Sequence, residues 1–202
     1  MILPIELETD RLLLRQWKTS DFIPFANMNS DERVMEFFPS TLSQPQSDEM
    51  ATRCQALITE RGWGFWALEE KSSGKFIGFT GLHIPTYDLP FMPCVEIGWR
   101  LDPEFWGKGL VTEAADAALK IGFEQLGLEE IVSFTVLDNV KSRAVMARLG
   151  MIQESDNFEH PALPVGHRLR EHCLYRLSKD QWLANRYSSG QYRRGSNGNA
   201  NQ

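Results

Sequence analysis

Two glycines, Gly107 and Gly109, stand where an apolar run over residues 95–101 gives way to a helix-like run over 110–126. Glycine adopts backbone conformations closed to residues with a Cβ and leaves room for a ligand against the main chain. The first N–H groups of a helix lack partners inside it, and the helix dipole makes that end attractive to anions. The chemistry indicated is a phosphate held by backbone amides. A dinucleotide fingerprint would need glycine at position 112, where Thr112 stands. A P-loop would need one at Glu69, five residues before Gly74. A strand-to-helix turn without a ligand is the competing account of the stretch.

A second junction follows, Asp138-Asn139 leading into Ser142 and on to Arg148-Leu149-Gly150-Met151. An Asn side chain offers both a donor and an acceptor, so at a helix start it can hold an amide-bearing ligand or cap the helix.

Taken together, Trp106-Gly107-Lys108-Gly109 at one junction and Asn139 with Ser142 at the next resemble the GNAT superfamily of acetyl-CoA-dependent N-acetyltransferases. The resemblance points to the branch that contains the ribosomal-protein-serine and ribosomal-protein-alanine N-acetyltransferases. That branch also shows an opening like residues 8–15 and a phrase like Glu96-Ile97-Gly98-Trp99-Arg100-Leu101-Asp102-Pro103. The resemblance covers about residues 7–182. It implies that the main chain of Trp106, Gly107, Lys108, Gly109, Leu110 and Val111 binds the CoA pyrophosphate. Pantetheine then lies along Ile97, Gly98 and Trp99, and Asn139 and Ser142 contact the pantetheine arm or thioester sulfur. Lys108, Lys141 and Arg143 are candidates for further CoA phosphates, or solvated side chains. Many family members carry a tyrosine acid in the second helix, where this sequence has Val145, Met146 and Ala147.

Acetyl transfer needs a neutral amine, whereas an α-amino group titrates near about 8 and a lysine near about 10.4, so a base assists. Glu96, one residue before the expected pantetheine edge, is the first candidate; the alternative is a strand carboxylate paired with Arg100. His83 is the second. Ser142 could donate to the departing thiolate, or simply cap its helix. A backbone N–H from residues 97–99 would polarise the thioester carbonyl. The acceptor expected is a primary amine, either a protein N-terminus or a small molecule such as an antibiotic or polyamine. A non-catalytic acyl-CoA-binding regulator is the rival class.

The elements needed to position these groups are readable in order. A strand is expected over 11–17, helices over 20–29, 34–38 and 47–61, and a hairpin of strands over 65–69 and 75–82. Strands over 95–101, 131–136 and 171–177 alternate with helices over 110–126 and 138–149, and a helix follows Ser178. In the 110–126 helix, Val111, Ala115, Ala118, Gly122 and Leu126 recur at helical spacing. The fold expected is mixed α/β (α+β-like): one GNAT-type domain over 1–187, a predominantly antiparallel twisted sheet flanked by helices and splayed at the acetyl-CoA site. Residues 188–202 hold no aliphatic side chain larger than alanine and read as a flexible polar tail.

With 42% hydrophobic residues among 202, the chain can bury one good core. Twenty-one basic against 27 acidic residues give a net charge of −6, which argues against nucleic-acid binding. Cys54, Cys94 and Cys173 are odd in number and widely spaced, so they read as reduced core residues rather than disulfides or thiolate ligands. His160, His167 and His172 with Asp156 and Glu159 match no compact ligand spacing, so no metal is expected. Residues 158–164 are read as a shaped loop on the acceptor side. With acidic residues near the N-terminus and no apolar run of membrane length, a cytoplasmic monomer or homodimer is expected.

Overall fold

In β2 (Leu12–Arg15), Leu12 and Leu14 are wholly buried while Leu13 between them is less so, the alternation of a strand with one face on the core. The computed structural model describes residues 2–188. β2 pairs antiparallel with the short β1 (Leu7–Glu8) and with β3 (Phe65–Glu70). β3 turns at Gly74 (φ 65°) into β4 (Lys75–His83), and β4 pairs with β5 (Glu96–Leu101). Beyond β5 come β6 (Glu130–Val136) and then β9 (Glu171–Ser178), which carries β7 (Ile152–Gln153) and β8 (Phe158–Glu159). The nine strands form one sheet.

Every pairing is antiparallel except β5 with β6, which run parallel and share the single register pair Glu96↔Val132. Val132 N–H donates to Val95 O at 2.9 Å, and Ser133 Oγ donates to Ile97 O at 2.9 Å. Past those bonds the two strands separate and the sheet forks. The expected sheet splayed between two of its strands is therefore what the chain forms.

The helices are α1 (Phe22–Ser30), α2 (Glu32–Met35), α3 (Gln44–Arg61), α4 (Leu110–Lys120), α5 (Val140–Arg148) and α6 (Lys179–Ser188). α3 begins three residues before the expected start. Ser43 and Gln46 form a capping box there and a proline occupies the first turn. Ser47, at the expected helix start and of a residue type that caps helices, is instead buried and accepts from Asn29 Nδ2 at 2.8 Å. α2 ends at Met35, short of the helix expected through 38. Asp21 makes no side-chain cap to α1; its Oδ2 accepts from the Lys18 N–H at 2.8 Å in the turn before that helix. It takes a two-pronged ion pair from Arg15, at 2.7 and 2.9 Å, and both residues are buried. Arg15 Nε also reaches Glu69 at 2.7 Å, so this buried cation is matched by two carboxylates.

α4 lies on β4 and β5 and buries Leu110, Ala114, Ala115, Ala118 and Leu119. Of the expected series, Ala115, Ala118 and Gly122 are buried and Leu126 packs on the core, while Val111 is half-buried and also lines a cavity. The helix passes into a π-helical turn, Ile121–Gln125, closed by Leu126 N–H to Ile121 O at 3.0 Å. At Gly122 a Cβ would meet Ile131 Cδ1 at 2.6 Å, so glycine there sets how closely this turn approaches β6. α6 runs through Ser188; the remainder of the expected tail, 189–202, lies outside the described residues. Among the described residues no helix is long and apolar enough to cross a membrane.

Candidate active site

The fork opens onto a cavity of about 1440 Å³ that runs from the glycine loop, past the exposed edge of β5, to a wall made by residues 33–38 and 160–163. Its parts follow from the elements beneath it.

At one end, Gly107 and Gly109 take φ of 75° and 76°. The N–H groups of Gly107, Lys108 and Gly109 donate to no backbone carbonyl among the described residues. Gly109 is the N-cap of α4 and supplies no side-chain cap, so the first amides of the helix also face outward unpaired. The loop is braced from below. Arg11 Nη1 donates to Lys108 O at 2.9 Å, and Arg11 Nε to Glu113 Oε2 at 2.6 Å. Thr9 Oγ1 and the Arg11 N–H donate to Glu113 Oε1 at 2.5 and 2.9 Å. These donors hold the Glu113 carboxyl below the ordinary range and neutralise the one acidic side chain in the first turn of α4. What remains is a set of open N–H groups at a positive helix end, suited to a diphosphate.

Along the edge of β5, orientation separates the three expected residues. Val95 and Ile97 turn their carbonyls toward β6, and strand alternation places the Trp99 N–H and C=O on that same edge. Gly98 faces β4, where its carbonyl accepts from Thr80 Oγ1 at 2.9 Å. Its contribution is the missing side chain, since a Cβ would meet Phe65 Cε1 at 3.3 Å. Trp99 therefore carries the open strand edge, since the Ile97 carbonyl is taken by Ser133 Oγ, and Gly98 floors the cavity.

Asn139 caps α5. Its Oδ1 accepts from the Ser142 N–H at 3.2 Å, and its Nδ2 donates to Thr135 Oγ1 at 2.9 Å. Both ends of that amide are engaged, so its local work is to fix the start of α5 and with it Ser142. Ser142 Oγ lies on the cavity wall and accepts from Trp99 Nε1 at 3.3 Å. Lys141 Nζ stands 4.2 Å from the Trp106 ring centre, linking α5 to the glycine loop, and Lys108 Nζ stands 4.8 Å from that of Phe105. Arg143 donates to Leu137 O at 2.9 Å and reaches toward Tyr175. Where a tyrosine acid is common in the family, Val145 and Met146 line the cavity.

Glu96 sits at the one rung joining the halves of the sheet. It lines the main cavity and also a side chamber of about 110 Å³ bounded by His83, Tyr87, Phe134 and His160. Its carboxylate makes no hydrogen bond or ion pair among the described residues, and burial raises it to about 7. The considered pairing with Arg100 does not form; Arg100 binds Asn29 instead. His83, directly across from Glu96 on β4, stacks on Phe65 at 5.2 Å between ring centres. Burial, with the charges of Arg53 and Arg61, lowers it to about 4, which makes it the weaker base of the two.

His160 and His172 lie 5.1 Å apart between ring centres, among Phe134, Phe158 and Tyr87. Burial, then the neighbouring His172, lowers His160 to about 4. Among the described residues no group of three or more His, Cys, Asp or Glu side chains could hold a metal ion. The 158–164 segment is part strand, β8, and its continuation puts His160, Ala162 and Leu163 on the cavity wall. Among the nearby aromatics, Trp66 is wholly buried, whereas Phe37, Phe38 and Phe65 line the cavity. Arg11, Asn29 and Arg100 were not anticipated as site residues. Arg100 carried a signal, because it stands four residues after Glu96 in one strand and so shares its face.

A forked sheet beside a glycine-opened helix, with one cleft joining that helix end to a desolvated carboxylate, defines a group transferase with a phosphate-bearing donor. Residues 11–152 match the Acetyltransferase (GNAT) domain, and the chain belongs to that family of N-acetyltransferases, whose co-substrate is acetyl-CoA. It is 25% identical over 179 residues to YnaD, an uncharacterized N-acetyltransferase of Bacillus subtilis, covering 88% of this chain and 99% of that one. The acetyltransferase of Agrobacterium tumefaciens superposes with a TM-score of 0.69 at 28% identity, over 86% and 94% of the two chains. The ribosomal-protein-S5-alanine acetyltransferase of Vibrio fischeri shares the fold, with a TM-score of 0.68 at 20% identity over 88% and 98%.

Proposed function

We propose that this N-acetyltransferase, working in the cytoplasm, passes the acetyl group of acetyl-CoA directly to a protein N-terminal amine in a ternary complex. The observation that carries the reading is Glu96: an unpaired carboxylate at the rung where the sheet forks, opening on the cleft from two sides. With acetyl-CoA supplying an activated thioester, the amides of residues 107–111 hold its pyrophosphate; the Trp106 N–H is spent on Pro103 O at 3.2 Å. The free edge of β5 at Trp99, just past the Ile97 carbonyl that Ser133 occupies, aligns pantetheine. Glu96 accepts the proton of the attacking amine, directly or through a water, and an acid of about 7 is matched to an α-amino group of about 8. Ser142 accepts a hydrogen bond from Trp99, so its own O–H is free to donate to the departing sulfur. The N-terminal acceptor is supported by the fold shared with an enzyme named for an alanine of ribosomal protein S5.

The test is release of free CoA thiol from acetyl-CoA with a panel of N-terminal peptides and small amines, in the wild-type protein and in Glu96→Gln. Peptides turn over, and the variant keeps calorimetric affinity for CoA while losing about 100-fold or more in kcat. Turnover confined to small amines removes the N-terminal acceptor. Undiminished turnover in Glu96→Gln removes its assigned base.

A further inference from the structure

Arg100 is 7% exposed, yet no carboxylate compensates it. Nη1 donates to Asn29 Oδ1 at 2.6 Å and stands 3.8 Å from Met50 Sδ. Nε is buried with no acceptor, and none among the described residues serves Nη2. The Phe38 ring centre lies 4.2 Å from the guanidinium carbon and that of Phe79 5.5 Å. The contrast with the other buried arginine is direct, because Arg15 answers to both Asp21 and Glu69. An isolated buried cation costs several kcal/mol unless something pairs with it.

The group is also held in place. Asn29 Nδ2 donates to Ser47 Oγ, which fixes the amide so that its oxygen faces Arg100. Guanidinium N–H groups in a fixed fork match a carboxylate better than any other side chain does. Arg100 lines the same cavity as Glu96, on the same face of β5, with only Gly98 between them on that face. Four residues of strand separate the two Cα atoms by about 13 Å.

We infer that Arg100 is the acceptor-recognition residue, and that the amine acetylated here carries a carboxylate, which seats on the guanidinium N–H groups left without an acceptor, beside the Phe38 ring that stacks on Arg100. This rests on amine acetylation as proposed above and narrows its acceptor class. The strand separation places the carboxylate several bonds from the reacting nitrogen. An acidic side chain at the second or third position of a peptide meets that requirement, as does a long ω-amino acid; an α-amino acid, with both groups on one carbon, does not.

Matched pairs of acceptors test it: N-terminal peptides with Glu or Gln at positions two and three, and ω-amino acids of graded length with their amides. The wild-type protein acetylates the carboxylate member with about 10- to 100-fold higher kcat/KM in at least one series, and the series that responds tells peptide from small molecule. In Arg100→Met the ratio falls to near one, while calorimetric affinity for CoA is kept. Arg100→Lys, which keeps the charge and loses the fork, retains part of the ratio and serves if the Met variant does not fold. A ratio near one for every wild-type pair, or a ratio unchanged in the variants, overturns the assignment. Should no amine turn over, calorimetry of the N-acetylated pairs with CoA present still decides. A carboxylate preference that Arg100→Met abolishes upholds the site, and equal binding of the two members refutes it.

Discussion

Trp99 on β5 and Ser142 on α5 meet across the mouth of the fork, the indole N–H donating to the hydroxyl oxygen at 3.3 Å. The contact orients the serine for the proposed transfer. Its oxygen is already an acceptor, so its proton is the part left to offer.

Ser142→Ala is accordingly expected to lower kcat by about tenfold, with little change in the KM for acetyl-CoA. The effect stays modest because a thiolate of about 8.5 leaves with limited help. A change confined to KM would assign Ser142 to binding alone. Steady-state rates over a range of acetyl-CoA concentrations separate the two.

Glu96 ties activity to stability through one proton. Its carboxyl is raised by burial to about 7 from an ordinary 4.5, so the fold prefers the protonated form. That preference stabilises fully below about 4.5 and is lost as pH rises through about 7. Glu96→Gln, which cannot ionise, therefore gains on the wild type between pH 4.5 and pH 8, by on the order of 2 kcal/mol in urea unfolding. Activity runs the opposite way: wild-type kcat/KM rises through about 7 as the base loses its proton. An equal urea midpoint difference at both pH values would contradict the burial of this carboxyl.

Gly107→Ala isolates the phosphate loop. A Cβ there meets nothing within 4 Å, so the cost is the positive φ of 75°, about 1 kcal/mol of stability. Calorimetry with CoA is expected to show a loss of about tenfold or more, since the loop must relax away from the geometry that exposes its amides. Unaltered affinity would detach the loop from the diphosphate.

The residues from Glu96 to Met151 carried most of what could be read from the chain alone. Glycines at a strand-to-helix junction, an Asn cap and alternating strands are local signals, and the elements they mark formed where expected. Reading failed where a partner distant in sequence decides the outcome. β1, β7 and β8 are two residues each and exist because β2 and β9 offer edges to them. Ser47 looked like a cap because caps and buried hydroxyls share a residue type; Asn29, eighteen positions away, claims it. Asn139 proved to be engaged at both ends by its own turn and by Thr135, which spacing alone does not reveal. Arg100 was weighed only as a counter-ion for Glu96. Its surroundings come from Asn29 of α1 and Met50 of α3, and nothing in the strand's own sequence announces that.

Stitched at Val132 and Ser133 alone, the two leaves of this sheet resemble a book bound by its first page. A guest that bridges both leaves stiffens the volume as a whole, so slower amide exchange should spread along the far margins of β6 and β9, well away from anything the guest touches.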